Sequence, residues 1–167
     1  MPTLPDASQL CAQLAAAMRP SITPQTALVG IHTGGAWIAE RLHRELAIQQ
    51  PLGSIDVAFY RDDYNQRGLH KGAKASNIPF DVEGAHIVIV DDVLNTGRTI
   101  RAALNELFDY GRPARIDLAV LVDRGGRELP VAATWCPQAI SLPASQTLVL
   151  ERDSNDGESL SFRVMEA

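Results

Sequence analysis

One stretch of the sequence holds residues whose types and order could do chemistry: Val88-Ile-Val-Asp-Asp-Val-Leu-Asn-Thr-Gly-Arg-Thr99. An apolar run ends in two carboxylates, Asp91 and Asp92. Thr96, Gly97 and Thr99 follow, and a helical pattern begins. A helix N-terminus presents unpaired backbone N–H groups and the positive end of the helix dipole, which together attract phosphate. Gly97 lets the main chain approach an anion closely, and the two threonines add hydroxyl donors. The carboxylates would repel a bare phosphate. They fit a ligand that also carries vicinal hydroxyls, or a Mg²⁺ held beside them. The ligand class implied is a ribose 5-phosphate, hydroxyls over Asp91 and Asp92 and phosphate in the loop. A plain helix cap with solvated aspartates would account for Thr96–Thr99 but not for an acidic pair closing a buried strand.

The elements that must position these groups can be read from the flanking pattern. Asp6 can cap a helix running to Arg19, where Pro20 stops it, with Leu10, Leu14 and Met18 as its apolar stripe. Ala27–Ile31 reads as a short buried strand, His32–Gly35 as a turn and Ala36–Ile48 as a helix. Ser54–Tyr60 reads as a strand and Arg61–Phe80 as a long loop. His86–Val90 has no polar break, so both its faces must be covered, as in a central parallel strand. Thr99–Tyr110 is helical and meets stop signals at Gly111 and Pro113, and Arg115–Val122 is another buried strand. Trp135 to Val164 holds shorter strand-like pieces, among them Thr147–Leu150 and Leu160–Val164. This order predicts an α/β fold with a mostly parallel sheet. Ligands of such sheets sit at the carboxyl ends of the strands. Three segments fall there: His32–Gly35, Asp91–Thr99 and Asp123–Gly126.

Composition narrows the class. A chain of 167 residues fits one domain, and 46% hydrophobic against 21% charged residues excludes disorder. No apolar run is long enough to span a membrane, and Met1–Ser8 lacks the features of a secretory signal, so no membrane role is expected. Two cysteines, Cys11 and Cys136, make no disulfide framework, which points to a reducing cytoplasmic compartment. A net charge of −5 argues mildly against a nucleic-acid protein, although a basic face can coexist with an acidic whole. The nucleotide motifs G-x-x-x-x-G-K-[ST] and G-x-G-x-x-G are absent. His32, His43, His70 and His86 are scattered and pair with no Cys at metal-ligand spacing, so no metal is expected to be held by the protein alone.

Ile89-Val-Asp-Asp-Val-Leu-Asn-Thr-Gly-Arg-Thr99 resembles the phosphoribosyl pyrophosphate (PRPP) motif of type I phosphoribosyltransferases. Val29-Gly-Ile-His-Thr-Gly-Gly35, Phe59-Tyr-Arg-Asp-Asp63, Asn77-Ile-Pro-Phe80, Gly111-Arg-Pro113 and Leu121-Val-Asp-Arg-Gly-Gly-Arg-Glu-Leu-Pro130 are similar to the bifunctional pyrimidine-operon regulators and uracil phosphoribosyltransferases, the PyrR family. The resemblance runs from about Ala27 to Pro130. It implies a single phosphoribosyltransferase domain over residues 1–167, of type I fold: a mostly parallel sheet flanked by helices, with a small hood from the N-terminal segment and about 123–150. The PRPP motif would lie within 87–99 and a flexible loop, suited to closing as a lid, at 61–80. The implied reaction is uracil plus PRPP giving UMP and pyrophosphate, with Mg²⁺.

Carried over residue by residue, the resemblance implies that Asp91 and Asp92 hold the ribose hydroxyls. Val93, Leu94, Asn95, Thr96, Gly97, Arg98 and Thr99 would hold the 5-phosphate. Thr33, Gly34 and Gly35 would approach the pyrophosphate, where the family places a non-proline cis peptide. Val122, Asp123 and Arg124 would line the uracil pocket, and Arg61 and Lys74 of the lid would join Asp91 and Asp92 in catalysis. Two positions depart from the pattern. Family members often carry a basic residue where Gly34 stands, so one charge is missing from the pyrophosphate site, and Asn95 replaces a frequent Tyr.

The resemblance also implies a homodimer or higher homo-oligomer that binds the leader of pyr mRNA under the control of uridine nucleotides such as UMP and UTP. Arg19, Arg41 and Arg44 are the candidate RNA contacts, with His43, Arg127 and Arg152 as further basic residues. One alternative is a nucleotide-sensing RNA-binding regulator with little catalysis, motivated by Gly34. Another is a phosphoacceptor signalling domain, which leaves the Thr-Gly-Arg-Thr loop unexplained.

Overall fold

The computed structural model describes residues 3–57 and 76–166. Helix α1 (Ala7–Met18) starts where the Asp6 carboxylate accepts the N–H groups of Ser8 and Gln9, and passes into a 3₁₀ turn at Arg19–Ser21. Strand β1 (Thr26–Ile31) leads into α2 (Gly34–Glu45) and then β2 (Gly53–Ile55). The long strand β3 (His86–Leu94) leads into α3 (Arg98–Phe108) and β4 (Arg115–Asp123). A two-residue strand β5 (Gln138–Ala139) precedes a hairpin of β6 (Gln146–Arg152) and β7 (Leu160–Glu166).

The main sheet has the order β2-β1-β3-β4-β5 and every pairing in it is parallel, while β6 and β7 pair antiparallel in a separate sheet. Successive residues of the central strands alternate between two cores. Leu28, Val88, Val90, Ala119 and Leu121 face α1, α2 and the hairpin, whereas Val29, Ile87, Ile89 and Val120 face α3. Leu14 and Met18 of α1 are wholly buried against the first core. Each such side chain contributes about 1.5–3 kcal/mol of hydrophobic stabilisation.

At the amino ends of the strands Asp117 is buried beside three partners. His86 Nε2 lies 2.7 Å from its carboxylate, Arg115 Nε donates at 2.9 Å and Thr134 Oγ1 at 3.1 Å. Burial pushes the Asp117 carboxyl up, but the hydrogen bonds from Arg115, His86 and Thr134 outweigh it and hold the group below its ordinary range.

Several boundaries differ from the sequence reading. The strand expected at 86–90 runs on to Leu94, because Asp91, Val93 and Leu94 pair with Val120, Val122 and Asp123. Helix α2 begins at Gly34, not Ala36, and ends at Glu45 because Ala47 adopts a left-handed conformation, φ 49°. Of the strand expected at 54–60, Ser54 and Ile55 belong to β2, and residues 58–60 lie outside the described residues. Of the loop expected at 61–80, residues 61–75 lie outside the described residues, and Asn77 exchanges two backbone hydrogen bonds of 2.8 Å with Ser54. The N-terminal segment packs as α1 against α2, β4 and β7.

Candidate active site

The order β2-β1-β3 means that the chain leaves β1 on one side and returns to its other side as β3. Ligands bind in the crevice that such a switch opens at the carboxyl ends of the strands. Here that crevice lies between the start of α2 and the end of β3. The His32–Thr33 peptide at the turn into α2 is cis. Gly34 and Gly35 then let the helix start lie directly on β3. A Cβ at Gly35 would sit 2.4 Å from the Val90 carbonyl oxygen, and one at Gly34 would sit 2.3 Å from Asp92 Oδ2.

The two carboxylates are oriented by the main chain. Asp91, 8% exposed, accepts the Asp92 N–H at 2.9 Å, and Asp92 accepts the Val93 N–H at 2.8 Å through Oδ1. Asp92 Oδ2 lies on the Gly34 side of the crevice. Both residues line a cavity of about 220 Å³ together with His32, Thr33, Gly34, Val93, Asn95, Thr99, Arg124 and Thr147.

The loop after β3 has three successive carbonyls turned toward one segment. Leu94 O accepts from Arg124 N at 3.0 Å, Asn95 O from Arg127 Nη1 at 2.7 Å, and Thr96 O from the N–H groups of Glu128 and Leu129 at 2.9 and 3.1 Å. A trans peptide directs its N–H opposite its C=O. The N–H groups of Asn95, Thr96 and Gly97 therefore face away from that segment, and among the described residues none of them donates to a protein acceptor. Gly97 is left-handed at φ 93°, and α3 starts without a side-chain cap. The result is a row of donors at a helix N-terminus, the arrangement that binds a phosphate.

A second cavity of about 580 Å³ adjoins the first and shares Asn95, Arg124 and Thr147 with it. Gly125, Gly126, Ile140, Ser141, Leu142 and Gln146 also line it. Arg124 stands between the two, with Nη1 on the Gln146 carbonyl at 2.8 Å and Nη2 on the Pro143 carbonyl at 3.4 Å. Asp123 is occupied by Arg127 Nη2 at 2.6 Å and the Gly125 N–H at 2.9 Å. The Arg127 guanidinium, opposed by burial and aided by that N–H, holds the Asp123 carboxyl below its ordinary range.

Residues 3–140 match the phosphoribosyl transferase domain family. The chain is 49% identical over 152 residues to the "Bifunctional protein PyrR" of Pseudomonas aeruginosa, covering 89% of each. It is 50% identical over 153 residues to the protein of the same name from Ralstonia nicotianae, covering 92% of this chain and 87% of the relative. The chain belongs to the phosphoribosyltransferase family. Solved phosphoribosyltransferases share its fold. A hypoxanthine-guanine phosphoribosyltransferase from Bacillus anthracis superimposes with a TM-score of 0.65 at 17% identity, over 84% of this chain and 85% of that one. A purine phosphoribosyltransferase from Pyrococcus horikoshii gives 0.59 at 26%, over 80% and 82%.

Within this phosphoribosyltransferase the sequence-derived residues are distributed unevenly. Thr33, Gly34, Asp91, Asp92, Val93, Asn95, Thr99 and Arg124 meet in one cavity, with Gly35 packed behind Asp91 and Thr96 on the adjoining cavity. Val93 and Leu94, expected in the phosphate loop, belong to β3, and Leu94 is buried in the core. Arg98 is exposed and paired with Glu128 at 3.0 Å. Of the three residues expected around the base, Arg124 lines both of these cavities. Val122 is fully buried in the core, and Asp123 is held by Arg127. Arg61 and Lys74 lie outside the described residues.

Thr147 and Leu148 also line the cavity and were not singled out in the sequence, since the start of an amphipathic strand carries no motif. Arg127 was counted with the basic surface. It pairs with Asp123 across an irregular segment, where a spacing of four carries no signal in the sequence. Arg19 is exposed beyond the end of α1. Arg41 and Arg44 line a separate surface cavity of about 340 Å³ with Glu40, Glu158 and Arg152. There Arg41 donates to the Glu158 carbonyl, Arg44 lies 4.0 Å from the Glu158 carboxylate, and Arg152 lies 4.8 Å over the Trp37 ring.

Proposed function

We propose that this phosphoribosyltransferase transfers the phosphoribosyl group of PRPP to uracil, giving UMP and pyrophosphate. We propose too that it regulates pyrimidine genes by uridine-nucleotide-dependent binding to the leader of pyr mRNA. The observation that carries the catalytic half is the meeting of Asp91 and Asp92 in one cavity with Asn95, where the donor row begins, and Thr99. A ribose 5-phosphate laid along β3 places its 2- and 3-hydroxyls on the carboxylates and its phosphate on the N–H row. Its first carbon then faces the start of α2, where pyrophosphate departs beside Thr33–Gly35. Base specificity, and the contribution of Arg124 to it, is part of the same proposal.

In the reaction N1 of uracil forms a bond to that carbon, the bond to the pyrophosphate oxygen breaks, and the N1 proton is released. The transition state carries positive charge on the ribose, which the fixed negative charge of Asp91 and Asp92 stabilises without reorganisation. Among the described residues no group of three or more acidic, His or Cys side chains could enclose a metal. The two carboxylates suit a hard cation shared with phosphate oxygens, so they would be this chain's contribution to a Mg²⁺ that arrives with PRPP. That ion would neutralise charge on the leaving group. We propose that Arg61–Phe80 excludes water, which would hydrolyse PRPP, and that Arg61 and Lys74 take part in catalysis.

Uridine-nucleotide control fits the same crevice, because UMP is both product and effector. RNA contact is proposed at Arg19, Arg41 and Arg44. No described helix is long and apolar enough to cross a membrane. We propose that it works in the cytoplasm, where PRPP and mRNA are found, as a homodimer or larger homo-oligomer. The test is turnover of uracil and PRPP with Mg²⁺, followed as UMP and pyrophosphate. Turnover of a purine base with none of uracil overturns the substrate assignment. UMP binding with no turnover of any base overturns the catalytic one.

A further inference from the structure

We propose that Arg127 is the positioning residue that holds the phosphate loop in its donor-out conformation and ties that loop to the base side of the site. The proposal rests on the reading of 95–99 as the cradle of the 5-phosphate. One guanidinium spans two loops: Nη1 donates to the Asn95 carbonyl at 2.7 Å and Nη2 to Asp123 Oδ2 at 2.6 Å. Asp123 is the last residue of β4 and is itself fixed by the Gly125 N–H at 2.9 Å. The planar fork cannot rotate to follow one acceptor without losing the other.

What this prevents is a peptide flip. If the Asn95–Thr96 peptide turned over, its carbonyl would face the crevice and its N–H would face the Arg127 guanidinium. The cradle would then exchange a donor for an acceptor, and an oxygen would oppose the phosphate. The Arg127 bond opposes the flip at Asn95, while the N–H groups of Glu128 and Leu129 hold the next carbonyl, Thr96. Gly126 has no side chain to intrude, since a Cβ there would lie 2.8 Å from Asn95 Oδ1. The Arg98–Glu128 pair closes the outer side at 3.0 Å. Arg127 touches no substrate in this scheme and acts through Asn95.

The test is equilibrium binding of UMP, uridine and pyrophosphate to the wild type and to Arg127→Gln and Arg127→Lys, with thermal unfolding measured alongside. Losing a charge-assisted hydrogen bond is expected to weaken UMP binding by about tenfold to a hundredfold in Arg127→Gln. Pyrophosphate, which uses the start of α2, should bind that variant within about twofold of wild type. Arg127→Lys keeps the charge beside Asp123 but has one nitrogen for two acceptors, so it should recover part of the loss. In kinetics, KM for PRPP should rise more than kcat falls.

Wild-type UMP affinity in a folded Arg127→Gln overturns the role of Arg127. So does an equal loss of UMP and pyrophosphate, which would mark general damage to the fold. If Arg127→Gln does not fold, Arg127→Lys decides, and UMP affinity equal to wild type overturns the proposal. A wild type that binds UMP no tighter than uridine instead refutes the underlying placement of the phosphate.

Discussion

Replacing Gly35 with Ala tests whether the crevice is set by main-chain contact between α2 and β3. A Cβ there would lie 2.4 Å from the Val90 carbonyl oxygen and 2.9 Å from Asp91 Cα, where ordinary contact begins at 3.4 Å. Both obstacles are backbone atoms of β3, which is paired with β1 and β4 and cannot retreat. The start of α2 must therefore withdraw by about an ångström, carrying Thr33 and Gly34 away from Asp91 and Asp92. A displacement of about that size between a leaving-group site and the reacting centre costs roughly a hundredfold in rate, about 2.7 kcal/mol. Overpacking should cost about 1–3 kcal/mol of stability, or roughly 2–12 °C in Tm.

The assay is kcat/KM for PRPP measured well below Tm, beside thermal unfolding. Gly84→Ala is the control. That position has φ 73° with open space around it, so the variant should lose about 1 kcal/mol of stability and keep full activity. Wild-type kcat/KM in folded Gly35→Ala would refute the reasoning. So would an activity loss that only tracks the unfolded fraction.

Other perturbations probe the remaining parts. Asp92→Asn should lower kcat/KM for PRPP by about 1.5–3 kcal/mol, the worth of a charged hydrogen bond to a ribose hydroxyl; unchanged kinetics would mean the sugar lies elsewhere. Asp117 has its folded carboxyl pKa below the unfolded one, so its contribution is fully present above the ordinary carboxylate range and is lost as pH falls through the lower folded value. Urea midpoints should drop in that acid range, and Asp117→Asn should be less stable by about 2–3 kcal/mol at pH 7 with a flatter acid limb. Arg44→Ala should weaken leader-RNA binding uniformly and reduce the slope of log K against log salt by roughly 0.7–0.9; an unaltered slope would remove Arg44 from the interface.

What could be read from the sequence was whatever local pattern dictates. Uninterrupted apolar runs marked β3 and β4, and the acidic pair with its Gly/Thr bend marked the crevice. What local pattern left out were contacts between distant segments. Gly34 and Gly35 look like a turn in sequence because glycine signals turns. In the fold they begin a helix, and their lack of a side chain serves close approach to β3. Asp91 and Asp92 look like the start of a loop, yet both lie within β3, because its pairing with β4 runs on to Leu94. Thr147 reaches the site from a hairpin that carries no motif. Arg127 could be placed only once the segment after β4 was seen to cross the loop after β3.

Helix α1 packs on β7, the last strand described, across nearly the whole length of the chain. Its apolar stripe therefore has no complete cover until Leu160 and Phe162 join the same cluster. During synthesis the first helix must wait for the final strand, and closing so long a loop is entropically slow. Until the hairpin forms, α2 and β4 give that stripe only part of its cover, so the α1–β7 contact is the step that seals the first core.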